Sequence, residues 1–452
     1  MTLLVEAPAA YEPERRYILD AVLGDRLGLD VTLRIADRRD VRITMADDPD
    51  GPCVRLPDGL FATPRADWLT PASMPSVDVR DGLPVLSWSP SPAADPAPDA
   101  ATLDVDVLGG AFFMLTRYEE LVVADRDHFG RFPAAASVAG REGFLGVPVV
   151  DAWIELLWDT LRRTWPRLHR RPEAFAVLLS HDVDDPLSTV GHGPLDVARN
   201  FAGDLVRRRD PRLAARRARA LALRDRRSDP HNTFDFLMDT SERHGLRSAF
   251  YFLPYRGEHV HDGPYLFEHP WVRKLVGHVA RRGHEVGLHP SFCTYEDAAR
   301  TREEHARLMR VAEAAGVRQD EWGGRQHYLR WANPVTWRNW EAAGLHYDST
   351  LAYAEAVGFR TGTCHAYRVF DLEERRALRL RERPFQVMDV TLLSTLAMTP
   401  DAAHAAVLDI AEQCRRYRGS LGILWHNNTL LRTAREKRWY AELVAAVAPS
   451  EP

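Results

Sequence analysis

The stretch FAVLLSHDVDDP, Phe175 to Pro186, decides how the longer, C-terminal part of this chain is read. Its apolar run has the character of a buried strand, and it passes directly into His181, Asp182, Asp184 and Asp185. The same grammar recurs downstream. RSAFYFLP (247–254), HEVGLHP (284–290), QVMDVTL (386–392) and SLGILWH (420–426) are short apolar runs, and all but the first of them carry His289, Asp389 or His426 at or just past the apolar part. Helical patterns fall between them. EDAARTREEHARLMRVAEAAG (296–316) is apolar on one face. NPVTWRNWEAAG (333–344) opens with Asn333 as an expected N-cap and Pro334 at the first helical position, and TPDAAHAAVLDIAEQCRRYRG (399–419) repeats that pattern with Thr399, Pro400 and Gly419. Strands alternating with helices predict an α/β domain with a largely parallel sheet, open or closed into a barrel. In such folds the C-terminal ends of the strands share one face, so residues far apart in sequence converge there.

Outward from this region the chain changes character. At 452 residues it exceeds one ordinary hydrophobic core, and a division at about residue 170 is expected. Residues 1–170 read as a smaller α+β domain of unknown role, and residues 171–452 as the domain that carries the strand-end polar residues. In the first part, VTLRIA and VRITMA look like strands, and LGGAFFMLTRYEELVV (108–123) and DAWIELLWDTLRRTW (151–165) look like helices. SPSPAADPAPDA (89–100) reads as a loop. Asn200 to Arg227 is dense in arginine, and its simplest reading is a solvated helical excursion, with contact to an anionic partner as the alternative.

Composition excludes several classes. Apolar residues make up 45% and charged residues 27%, as in ordinary globular proteins. A formal net charge of −5 gives no global basic field for nucleic acid. Cys53, Cys293, Cys364 and Cys414 are widely spaced and form no CxxC pair, so a disulfide framework is not expected and a reducing compartment fits. The start, MTLLVEAPAAYEPERRY, lacks a basic segment followed by an apolar one, and no run approaches the roughly 20 apolar residues of a membrane span. A cytoplasmic protein with no transmembrane segment is the expectation; the oligomeric state is not legible.

The chemistry-bearing residues divide into roles. In an extended segment Asp182 and Asp184 point the same way, so one carboxylate can hold a cation while the other takes a proton; the alternative is a polar turn. A neutral imidazole at His289 suits zinc and similar metals, while His284 reads as structural. GGRQHYLRW (323–331) offers Arg325 for bidentate hydrogen bonding to a carboxylate and His327 nearby. His426 follows a strand and could act as a general acid, or be a hydrogen-bonded structural histidine. Tyr328 and Trp331 are aromatics near these motifs that could face a ligand or equally be core, whereas Trp425 lies within its strand and reads as core.

With these residues in hand, the constellation resembles the polysaccharide deacetylase family, also called carbohydrate esterase family four, over about residues 174–449. SHDVDDP is similar to the family's first motif in an HDVD form, and YDSTLAYAEAVGFRTGT (347–363) to a segment of a subgroup tied to surface polysaccharides. FFMLTRYEEL and HFGRFPAAAS resemble an uncharacterised module that often precedes such enzymes. The resemblance implies a distorted (β/α) barrel and a divalent metal, zinc by preference. It implies Asp182 as base, Asp184 and His289 as metal ligands, Arg325 as the brace of the base, and Asp389 tuning a catalytic His426. Cys293 stands where the family has a second histidine. Thiolate is a zinc ligand, so Cys293 is one candidate for the third position; His327, or water, is the other. His327, Tyr328 and Trp331 are otherwise expected on the substrate side. The implied activity is removal of an acetyl group from an N-acetylated sugar of a surface polysaccharide or its precursor. A catalytically inactive barrel that binds a glycan or a partner, and an amidohydrolase acting on a non-sugar amide, are the alternatives.

Overall fold

The computed structural model describes residues 2–89, 100–206, 208–255, 259–429 and 431–449. The loop expected at 89–100 lies almost wholly outside the described residues. The chain divides into two compact units. One comprises Met1–Ala174, Gly358–Pro384 and Gln413–Gly419; the other comprises Phe175–Val357, Phe385–Glu412 and Ser420–Pro452. Together they are mixed α/β, and among the described residues no helix is long and apolar enough to cross a membrane.

The first unit is α+β. The expected strands form at Asp30–Ile35 and Asp40–Met45 and flank Thr2–Ala7, the former parallel and the latter antiparallel to it. Cys53–Pro57 and Ala100–Thr102 extend the sheet. Val149–Thr164 is amphipathic and buries Val150, Trp153, Ile154, Leu157 and Leu161 at helical spacing. The single helix expected over 108–123 is instead two, Val107–Leu115 and Glu119–Val122. Arg117 interrupts them with a left-handed backbone, φ 52°. Its buried guanidinium reaches Glu119 and Glu120 at 2.7 and 2.8 Å, so an ion-pair network overrides local helix propensity.

The second unit carries a parallel sheet. Its strands are β1 (Ala176–Val183), β2 (Ser248–Phe252), β3 (Glu285–Leu288), β4 (Gly323–Gly324), β5 (Tyr347–Asp348), β6 (Val387–Met388) and β7 (Ser420–Leu424). They lie in the order β6-β7-β1-β2-β3-β4-β5, parallel at each junction. Apolar strand residues such as Val177, Leu179, Phe250, Phe252, Val286, Leu288, Leu421 and Ile423 are buried, because a sheet covered on both faces takes near-continuous apolar strands. Among the described residues no pairing joins β6 to β5, so the strands run as an open order and the ring closure of the expected barrel is not seen.

Connecting helices show how local signals set their ends. Asp297 caps Ala298–Ala314 by accepting from Ala299 and Arg300 N–H groups. Thr399 caps Pro400–Arg416 by accepting from Ala402 N–H at 3.2 Å. Asn333 is not the cap expected of it: Pro334 itself occupies the N-cap of Val335–Ala342, joined to Asn333 by a cis peptide bond. Trp425 is fully buried against the rings of Trp439 and Tyr440, at 5.4 and 5.0 Å, which makes it core. Trp425→Ala is expected to cost about 3–5 kcal/mol of stability, read as a lowered midpoint in urea unfolding.

Candidate active site

The polar residues that follow the apolar runs meet at the C-terminal ends of β1, β3, β6 and β7. Alternation along β1 puts Ser180 and Asp182 on one side, and both are gripped by Arg325, which follows β4. Arg325 Nη1 donates to Asp182 Oδ1 at 2.8 Å, and Nη2 donates to Ser180 Oγ at 3.0 Å and to Ser349 Oγ at 3.1 Å. Nε donates to the Ser349 carbonyl at 2.7 Å. The guanidinium sits 4.2 Å from the Phe385 ring centre and 5.1 Å from that of Tyr251. A rigid fork with this many fixed partners holds one oxygen of Asp182 and leaves the other for chemistry.

Asp184, two residues on, faces a pair of imidazoles. Its Oδ1 lies 3.1 Å from His289 Nε2 and 3.6 Å from His327 Nδ1, and the two ring nitrogens are 2.9 Å apart. Their tautomers are set from behind. His289 Nδ1 donates to the Arg325 carbonyl at 2.6 Å, and His327 Nε2 donates to the His261 carbonyl at 2.7 Å. Each neutral ring therefore turns a lone pair inward, toward the other and toward a carboxylate oxygen. Three electron-pair donors converging within 4.8 Å of one another could hold a cation between them. The donor set, one carboxylate and two imidazoles each oriented by a backbone carbonyl, fits zinc or a similar divalent metal with open positions. Burial disfavours the Asp184 carboxylate, yet the surrounding imidazoles of His327, His289 and His426 outweigh it in the metal-free protein and hold Asp184 well below the usual carboxylate range.

His426 completes the group from the end of β7. Its Nδ1 bonds to Asp389 Oδ1 at 2.7 Å, its backbone N–H donates to Asp389 Oδ2 at 2.9 Å, and its Nε2 lies 3.7 Å from Asp184 Oδ2. Asp389 is fully buried at the end of β6. Burial opposes the imidazolium, but Asp389, Asp184 and Asp182 overcome it and raise His426 to about 10. It is thus a proton donor at neutral pH.

Other expected site residues fall elsewhere. Cys293 is exposed and is not among the converging donors; the third converging donor is His327. Cys293→Ser is therefore expected to leave metal stoichiometry unchanged, as elemental analysis would show. Trp331 is 2% exposed and packs edge-on against Trp337 at 4.7 Å, so it is a core side chain and not a sugar platform. Tyr328 stays beside the site: its ring is 4.8 Å from that of His327 and its hydroxyl 3.2 Å from His261 Nδ1. His181 bonds to the Trp425 carbonyl at 2.8 Å and burial lowers it to about 3, which marks a neutral structural histidine. Asp185 pairs with His192 and His231 at 2.9 and 3.0 Å. His284 accepts from Ser248 N–H at 3.0 Å, a structural role.

Three contributors lie outside the site residues the sequence named: Ser180 and Ser349 hold Arg325, and His261 acts through its backbone carbonyl.

Residues 3–166 match a family of unknown function (DUF7033). No curated relative matches the chain. Among solved structures, the chain is similar to a "putative polysaccharide deacetylase" from Mycobacterium smegmatis, with 17% identity and a TM-score of 0.41, covering 62% of this chain and 86% of that one. It is also similar to the Xyl-CE4 domain of a multidomain xylanase from the hindgut metagenome of Trinervitermes trinervoides, with 12% identity and a TM-score of 0.28, covering 61% and 82%. At TM-scores this low, any functional reading rests on the site residues.

Proposed function

We propose that the second unit is a metal-dependent hydrolase that removes the acetyl group from an N-acetylated sugar of a surface polysaccharide or its precursor. The observation that carries this is the meeting, at one sheet edge, of three converging metal-type donors, a carboxylate braced by Arg325 and a histidine hydrogen-bonded to buried Asp389. Asp184, His289 and His327 would hold the cation. When bound, a divalent metal supplies Lewis acidity toward an acyl carbonyl and toward water.

The remaining steps belong to the side chains. Asp182 takes a proton from the attacking water at Oδ2, because Oδ1 is committed to Arg325. Arg325 keeps that carboxylate oriented while negative charge develops nearby. His426 Nε2 gives a proton to the departing amine nitrogen, and Asp389 stabilises the imidazolium before transfer. Base and acid thus come from two groups whose environments differ. Substrate choice draws on the resemblance of the strand-end motifs, with Tyr328 as the aromatic wall nearest the donors.

A catalytically retired binding module was suggested by Cys293; the convergence of His327 with Asp184 and His289 supports the metal-dependent reading instead. The test is acetate release from N-acetylated oligosaccharides, with cyclic amides in parallel, by wild type and by Asp182→Asn. Release from the sugars by wild type alone supports the reading. Turnover of cyclic amides only would move it to the non-sugar alternative.

A further inference from the structure

The arginine-dense excursion between β1 and β2 is not used by the site chemistry. It folds as two helices, Pro194–Val206 and Pro211–Ala222. Buried Asp204 pins them together, accepting from Arg208 Nη1 and Arg217 Nε at 2.8 Å each. The inner side of the second helix is ordinary core, with Leu213, Arg217 and Ala220 buried. The outer side is not ordinary surface. Leu195 is 82% and Val206 76% exposed, and Phe201, Leu205, Leu221 and Leu223 are exposed as well. Phe201 and Leu205 stand one helical turn apart and so share a face.

Charge is concentrated in the same segment. Residues 194–228 hold eleven arginines against four aspartates, a net of +7 in a chain whose total is −5. Arg209, Arg212, Arg224 and Arg227 are exposed beside those apolar side chains. The excursion is fastened at both ends near the site. Asp229 accepts from Ser188 N–H and Oγ at 3.0 Å each and from Thr189 Oγ at 2.6 Å, while Asp185, next to Asp184, ties His192 to His231.

We infer that this helical pair docks the protein on an anionic lipid surface, with the leucine and valine side chains entering the headgroup boundary and the arginines lying against phosphate groups. Aliphatic tips among guanidinium groups are the pattern of an interfacial helix. A nucleic acid would be met by the charges and would leave the leucines without a partner, because bases are stacked on by aromatic side chains. Because the excursion leaves from the strand end that bears Asp184, docking would hold the site at the sheet edge nearest the bilayer. The inference does not depend on the deacetylase reading.

The experiment is co-sedimentation of the full chain with vesicles of phosphatidylcholine alone or mixed equally with phosphatidylglycerol. Two variants accompany wild type: Leu195→Ser with Leu205→Ser and Val206→Ser, and Arg209→Gln with Arg212→Gln and Arg224→Gln. All six side chains are exposed, so folding is expected to persist, and circular dichroism checks it. Wild type should bind the mixed vesicles, bind them about tenfold less in 0.5 M salt, and stay in the supernatant with vesicles of phosphatidylcholine alone. Each variant should lose about tenfold in bound fraction. Absence of binding to the mixed vesicles would overturn the inference. So would unchanged vesicle binding by the serine variant together with tight binding of single-stranded RNA, which would reassign the surface to polyanions. A wild-type dimer that the serine variant dissociates, without vesicle binding, would reassign it to a second copy of this chain.

Discussion

Asp182→Asn is expected to lower kcat for acetate release by about 10²–10⁴-fold while metal content stays near that of wild type. The amide keeps the size of the carboxylate and can still meet Arg325, but it cannot take a proton. Asp182 Oδ2 is 3.9 Å from His289 Nε2, outside the set of converging donors, so the cation site should survive the change. Steady-state kinetics beside elemental analysis reads both effects. Loss of metal and activity together would instead make Asp182 a ligand.

His426→Ala is expected to cost a similar factor, about 10²–10⁴ in kcat, on an amide substrate, because an alkylamine leaves only with a proton. An activated aryl acetate needs no proton on its leaving group, so the same variant should turn it over within about tenfold of wild type. That split separates an acid from a residue that merely shapes the site. A stability signature accompanies it in metal-free protein. His426 is raised from its ordinary value of 6.5 to about 10, with burial overcome by Asp389 and its neighbours. Its contribution is thus full below about pH 6.5, declines as the pH climbs toward 10, and is lost above that. Asp389→Asn should flatten this alkaline loss in thermal unfolding, since it removes the carboxylate that keeps the imidazole charged.

Much of this arrangement is legible in the chain because parallel strands place their ends together. His289, Asp389 and His426 announce themselves as polar residues closing apolar runs, and Asp182 and Asp184 by their spacing. His327 is different. It sits in a turn, His327–Leu329, where Tyr328 and Leu329 adopt φ of 59° and 56°, a left-handed backbone that no spacing rule forecasts. Its role depends on the His261 carbonyl, 66 residues away in sequence, and a backbone carbonyl leaves no mark on residue type. Trp331 shows the same limit from the other side: an aromatic near a motif looks like a sugar platform until packing against Trp337 buries it. In the first unit, the break at Arg117 accompanies its guanidinium reaching Glu119, Glu120 and the distant Arg360 carbonyl, a set of contacts that local helix propensity does not encode.

The central claim is the cation site, and the most direct measurement is elemental analysis of purified wild type beside His327→Ala after equal exposure to zinc and gel filtration. About one divalent metal per wild-type chain, with at least tenfold weaker retention in His327→Ala, is the predicted result. Metal retained equally by the variant, or absent from wild type after reconstitution, would contradict the account.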